Sequence, residues 1–381
     1  MALPYVIPAQ DRVAFMGCRR AWDFGARERR NRELVRPEHA AELERTLRDT
    51  LAVYYFPGMW DWQTSIVLPL VRKALTDSVA EQRAEYLDGH GRSTLPAEQE
   101  QVVAECLETA AAMLEAFIAW APTVDDFTPV QVVAEVDVQV PDHRRPGRDL
   151  VAPGGRPVHY RDRIDVLVTD EESRYWVLQH RLVHGPWPDL DALRLAERGL
   201  SWCWAWEQAN PGLRVHGTIY NELSVGRPEA SPPPPGPRGM VRQHRSAEIR
   251  PWFLVQGGPP DPEFDLRIRP AEQFFRRVQV PRTRTELAAF GDRLADQLTD
   301  MIDSATRIYP NPAPHRCGQC IFRAPCLATE LGNDAEALLA TSYRDREHEP
   351  KPGTLGATTW SLGRGAAAPP SSPRRDAASD Q

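Results

Sequence analysis

Three cysteines near the end of the sequence, Cys317, Cys320 and Cys326 in CGQCIFRAPC, are spaced C-x2-C-x5-C. Two cysteines three residues apart turn their sulfurs toward one metal centre, and the third joins after a short loop held by Pro325. Three thiolates leave a fourth position open, and Cys18 in the segment FMGCRRAW is its natural donor. Ligation by Cys18 closes a loop of about 300 residues in the unfolded chain, so a fold built this way must bring its two ends together. A four-thiolate set suits zinc as well as an iron–sulfur cluster, and the spacing does not choose between them. Cys106 and Cys203 lie in apolar helical patterns, where a cysteine serves as a small buried hydrophobe.

Composition narrows the setting. The 381 residues suit one large domain, or a domain with a helical insertion and a tail, and 41% hydrophobic residues are enough for a sizeable core. A net charge of −7 argues against a broad basic surface for gripping duplex DNA, yet leaves a local basic groove open, because steering depends on where charge sits. The start, MALPYVIPAQDR, has no charged segment followed by an apolar one, and no apolar run approaches the roughly 18 residues of a spanning helix. A cytoplasmic protein with no membrane association is the expectation. In a reducing compartment the cysteines are free thiols or metal ligands rather than disulfides.

Along the chain, residues 1–125 read as a helical region that supplies one cysteine of the set. Helical patterns cover Asp11–Arg32, Pro37–Leu51, Ser65–Val79 and Glu98–Ala121. After Pro122 the period becomes two: Val130, Val132, Ala134, Val136, Val138 and Val140 alternate with polar residues, putting Glu135 and Asp137 on the other face of a strand. Asp142–Pro157 reads as a hairpin loop, His159–Thr169 and Tyr175–Val183 as strands joined by the turn Asp170–Ser173, and Leu190–Gln208 as a tryptophan-rich helix. A fourth strand is expected at Arg214–Glu222 and a long helix at Glu286–Ile308. The core thus spans 126–345. The Pro-rich Ser231–Pro237 is a loop and a candidate ligand for a protein partner, and 346–381 reads as a disordered tail.

The paired motifs at the two ends resemble those of RecB-like iron–sulfur nucleases of the PD-(D/E)XK superfamily. That group includes the CRISPR-associated RecB-like exonucleases and the nuclease domain of the AddB-type subunit of the AddAB helicase–nuclease. Arg163-Ile164-Asp165-Val166-Leu167-Val168 resembles the family's RID strand, Tyr175–Arg181 its WVVDxK strand, Trp202–Glu207 its YAWALE helix and Gly217–Asn221 its GxxYN strand. The resemblance covers roughly residues 10–345. It implies an α/β (α+β mixed) fold with a restriction-endonuclease-like core sheet flanked by helices. It also implies a [4Fe–4S] cluster on Cys18, Cys317, Cys320 and Cys326 that fastens the ends, and a DNA substrate, single-stranded or at ends. The catalytic site would hold Mg²⁺ or Mn²⁺ on carboxylates, with a lysine orienting the attacking water.

The catalytic positions depart from that pattern. Asp165 is retained and Glu135 is placed to assist it as a metal ligand, but Gln179 replaces the (D/E) and Arg181 the lysine. Arg198 stands where a helical glutamine is expected, and Arg48 where the early helix carries a histidine. Glutamine binds Mg²⁺ more weakly than a carboxylate, and arginine has no accessible neutral form. Three readings follow in order: a degenerate nuclease fold that binds DNA with weak or no cleavage; an active Mg²⁺- or Mn²⁺-dependent nuclease using Asp165, Glu135, Gln179 and Arg181; and a zinc or iron–sulfur structural or sensor protein without nucleic acid.

Overall fold

The computed structural model describes residues 3–35, 38–226, 267–268 and 274–346, and it departs from the sequence expectation first at Cys18. The chain enters on a short strand, Tyr5–Pro8 (β1), and then a helix, Ala9–Gly17 (α1). Cys18 leaves helical space (φ −158°, ψ 111°), and a second helix, Arg19–Gly25 (α2), resumes beyond it. The single helix expected over Asp11–Arg32 is therefore two, broken at the cysteine. A three-residue strand, Arg32–Leu34 (β2), precedes three helices: Leu43–Tyr54 (α3), Thr64–His90 (α4) and Ala97–Trp120 (α5). Gly91 closes α4 in the left-handed conformation that glycine adopts at little cost.

The alternating stretch forms strand Phe127–Gln139 (β3). Within the expected hairpin loop Val151–Ala152 (β4) makes a short pairing, and the chain continues into Arg156–Asp170 (β5) and Tyr175–Val183 (β6). The tryptophan-rich segment splits at Ala196 into Leu190–Leu195 (α6), capped by Asp189, and Glu197–Ala209 (α7). Then come Val215–Ser224 (β7), Arg267–Ile268 (β8), Phe275–Pro281 (β9) and a long helix, Arg284–Ile302 (α8), opened by a capping box of Thr283 and Glu286. Three short helices, Pro314–Gly318 (α9), Arg323–Glu330 (α10) and Ala335–Ser342 (α11), lead to Tyr343–Asp345 (β10). The Pro-rich Ser231–Pro237 and all but the first residue of the 346–381 tail lie outside the described residues.

The architecture is mixed α/β: a mixed sheet with β5 at its centre, flanked by helices. The sheet order is β1-β5-β6-β7-β9-β8, with β3 antiparallel to β5 over almost its whole length. Because β3 takes one edge of β5, β1 and β6 share the other. β1 pairs in parallel with Val158–Arg161, and β6 pairs antiparallel with Val166–Thr169. Residues Asp162–Asp165 are left between them, unmatched by a strand on that edge.

One face of the sheet packs on α1, α7 and α8 through Ala134, Val136, Tyr160, Ile164, Trp202 and Phe290; the other packs on α3–α5 through Val166, Val168, Leu178, Leu51 and Phe117. Ile164 and Val166 belong to opposite faces although residues two positions apart on a strand normally share a face, so the strand changes sides at Asp165. Across from it, between the pairs Val132–Val166 and Ala134–Ile164, Val133 sits at φ 50°. That conformation is rare for a β-branched residue. The tryptophans Trp202, Trp204 and Trp206 are buried in the core, so they offer no stacking platform for bases.

The first and last described segments meet. β2 pairs antiparallel with β10, Arg32 bonds Asp345 at 2.9 Å, and Phe24, Phe322, Leu339 and Tyr343 form a small core of their own.

Strand β9 was not foreseen, because Arg276 and Arg277 break its apolar pattern. Both are buried and paired with carboxylates: Arg276 reaches Glu222 at 2.5 Å, and Arg277 reaches Asp125 at 2.5 Å and Asn221 Oδ1 at 3.3 Å. Tyr55 donates to the same Asp125 at 3.2 Å. Arg277→Met strands the Asp125 carboxylate in the core and is expected to cost about 3–5 kcal/mol in urea unfolding, whereas Asp125→Leu with Arg277→Met recovers most of that loss.

Candidate functional site

The gap on β5 gathers charge. Asp162 is buried on the α7 side, where Arg198 on α7 pairs with it at 2.8 Å, the arginine side chain 37% exposed and the aspartate side chain 1%. Ser201 donates to Asp162 at 2.8 Å, and the Arg163 N–H, which no strand on that edge takes, is bonded by the Asp162 side chain at 2.7 Å. Asp165 accepts the His180 backbone N–H at 3.1 Å, a side-chain bond at the place where the β5–β6 ladder stops. Arg48 on α3 stands 3.7 Å from Asp165, 34% exposed over a carboxylate 10% exposed. Burial pushes the Asp165 carboxyl above the usual carboxylate range, and Arg48, the His180 N–H, Arg163 and Arg198 draw it back. Asp162 is raised by burial too, opposed first by Arg198.

Of the expected catalytic set, only Asp165 and Gln179 lie at this divergence. Gln179 is half-buried beside Tyr220 in the β6–β7 register. Arg181 is drawn away to β7, 3.8 Å from the buried Glu222 and over the Tyr220 ring at 5.5 Å. Glu135 is exposed and faces Arg163 across the β3–β5 ladder. Asp162 is the residue that sequence reasoning missed. It stands three residues before Asp165 in YRDRID, and strict alternation gave no reason to bring the two together.

His180 backs this gap from the α3 side. Its ring stacks on Tyr55 at 5.5 Å between centroids, and the Asn221 amide lies 2.8 Å from Nδ1. With the Asn221 oxygen bonded to Arg277, its amide N–H donates to Nδ1, so the ring proton sits on Nε2, which finds no partner among the described residues.

At the other end of the molecule the cysteines assemble around α2 and α9–α10. The Cys18 Sγ accepts the Asn311 N–H at 3.4 Å and the Cys317 Sγ accepts the Ala313 N–H at 3.4 Å. Cys320 accepts the Phe322 N–H, and Arg20, itself paired with Glu330, reaches the Cys326 Sγ at 3.9 Å. Burial raises the Cys320 thiol, the Phe322 N–H lowers it, and Cys18, Cys326 and Cys317 are all near enough to add to the rise. Among the described residues no three His, Cys, Asp or Glu side chains take the close spacing of a single metal ion's ligands. The arginines beside Cys18 are committed: Arg29 and Arg30 pair with Asp23, and Arg19 lies over the rings of Phe15 and Tyr309. Cys106 and Cys203 are buried, as their apolar contexts suggested.

No protein-family model matches this chain, and no curated protein matches it. Among solved structures it is similar to the crystal structure of SSO0001, with 9% identity over 77% of this chain and 88% of that one, at a TM-score of 0.27 that carries no argument about function. No helix among the described residues is long and apolar enough to cross a membrane.

Burial, with Arg277 and Arg48 nearby, lowers His180 from 6.5 to about 3. The unfolded chain therefore takes a proton below pH 6.5 that the folded chain refuses, and stability present above that pH falls as the solution is acidified. Between about pH 7 and about pH 5.5 the loss from this ring is about 1 kcal/mol. Urea midpoints at the two pH values should show that loss in the wild type, and His180→Phe should remove it.

Proposed function

We propose that this chain is a RecB-like nuclease-fold protein that binds DNA at the gap on β5, cleaves it weakly or not at all, and fastens its ends with a [4Fe–4S] cluster. The observation that carries the reading is the cysteine set: four sulfurs from positions about 300 residues apart, each accepting an N–H donor. Such donors stabilise thiolate charge and are the protein's means of tuning a thiolate-bound cluster. Four thiolates would suit zinc as well, and it is the resemblance of the paired end motifs that favours the cluster. When bound, the cluster supplies a covalent crosslink between α2 and the α9–α10 segment, reinforcing the β2–β10 pairing.

At the gap both carboxylates are already paired with arginines, Asp162 with Arg198 and Asp165 with Arg48, and Gln179 and Arg181 add no further carboxylate. Divalent-metal hydrolysis of a phosphodiester is correspondingly disfavoured, and retention of the fold for binding DNA accounts for both ends of the molecule.

Protein purified anaerobically should absorb broadly near ~400 nm and contain iron and sulfide, with both signals lost in Cys18→Ser. The same preparation, incubated with end-labelled single-stranded DNA and Mg²⁺ or Mn²⁺, should bind the DNA and cleave little or none of it. Metal-dependent cleavage that disappears in Asp165→Ala would make this an active nuclease, and stoichiometric zinc without iron would return the cysteines to a zinc role.

A further inference from the structure

The gap on β5 pairs buried carboxylates with half-exposed guanidiniums. Asp162 and Asp165 lie beneath, and Arg198 and Arg48 sit over them at 2.8 and 3.7 Å with about a third of each arginine side chain open to solvent. Arg163, exposed on the strand between the two aspartates, adds a third positive charge within electrostatic reach of Asp165. A divalent ion at this place would sit on the carboxylates and face its remaining charge outward. Here fixed guanidiniums occupy that layer.

We propose that this layer is a metal-independent phosphate site, in which Arg48, Arg163 and Arg198 hold a backbone phosphate of single-stranded DNA in place of a bound cation. The inference rests on the DNA-binding reading above and names the part of the molecule that does the binding.

Arginine suits this role. Its guanidinium carries five N–H donors in a planar fork that matches two phosphate oxygens, and it keeps its charge at any working pH. An arginine held on one edge by a buried carboxylate is already oriented, so less side-chain entropy is lost when a phosphate meets its other edge. Glu44, bonded to Arg48 at 2.7 Å, and Glu135, opposite Arg163, are exposed acids at the rim. They weaken the attraction and oppose diffuse binding. The chain's basic residues are arginines apart from Lys73 and Lys351, and neither lysine is near this gap in sequence. The strand's change of face at Asp165, with Val133 at φ 50° beside it, holds Asp162 and Asp165 toward opposite helices, so that α3 and α7 each contribute an arginine.

The test is fluorescence anisotropy with a labelled single-stranded oligonucleotide, using wild type, Arg163→Gln, Arg198→Gln and the distant surface variant Arg72→Gln, each checked for an unchanged melting curve. Arg163 holds no buried carboxylate in place, so Arg163→Gln keeps the test decisive where Arg198→Gln unfolds. Expected are equal affinity in EDTA and in Mg²⁺, a loss of about tenfold in Arg163→Gln and Arg198→Gln, a salt slope reduced by about 0.7 for each arginine removed, and no change in Arg72→Gln. A wild-type protein that binds no oligonucleotide at low salt would overturn the DNA-binding reading itself. Binding that survives unaltered in both site variants would overturn this site alone, and binding that needs Mg²⁺ would overturn its independence of metal.

Discussion

Everything near the candidate site follows from how β5 divides its two edges. β3 runs along one edge of β5 from His159 to Asp170; the other is shared by β1 and β6, which do not meet. Backbone groups in the interval between them still need partners, since an unpaired buried N–H or C=O is expensive. Part of that need is met by side chains: Asp162 takes the N–H of Arg163, and Asp165 takes that of His180. The two carboxylates are thereby fixed as elements of the sheet. Once buried they require counter-charge, which α7 and α3 provide through Arg198 and Arg48.

A second buried system braces the same region from behind. Asp125, Arg277, Tyr55, Asn221 and His180 form a chain of bonds and a ring stack linking α3, β6, β7 and β9. In a low-dielectric interior such a network is worth most when each member is satisfied. Among the described residues it leaves two atoms without a partner, the Arg277 Nε and, at its end, the His180 Nε2. The position of β6 where it parts from β5 is thus held from both sides: by a carboxylate on its backbone and by a ring packed beneath it.

The two ends of the chain close the molecule independently of the sheet. Ion pairs from Arg20, Arg30 and Arg32 to Glu330, Glu336 and Asp345, the β2–β10 pairing and the Phe24–Phe322 contact all join the first 35 residues to the last 30 described. A crosslink through the four cysteines would act on segments that are already neighbours. The break in helix between α1 and α2 at Cys18 is what frees that sulfur from a helical flank.

Much of this was legible in the sequence because it depends on local periodicity. The alternation at Val132–Val140, the strand Tyr175–Val183 and the starts of the helices at Thr64 and Ala97 all follow from which neighbours at two or 3.6 residues are apolar. The cysteine spacing likewise announced that residues 18 and 317–326 belong together. Strand β9 was hidden because its arginines are buried by partners on β7 and before β3, a pairing across roughly 50 to 150 residues that no local window contains. The split of the 11–32 helix at Cys18 and the change of face at Asp165 were hidden for the same reason. Both are backbone conformations imposed by distant segments, the first by the 309–317 stretch and the second by β1 and β6 competing for one edge. Residue types and their local pattern determined the elements and the four sulfurs; only the tertiary structure decided that Asp162 and Asp165 would sit beneath arginines, because hydrogen-bond demand along an unpaired strand edge is a property of the whole sheet.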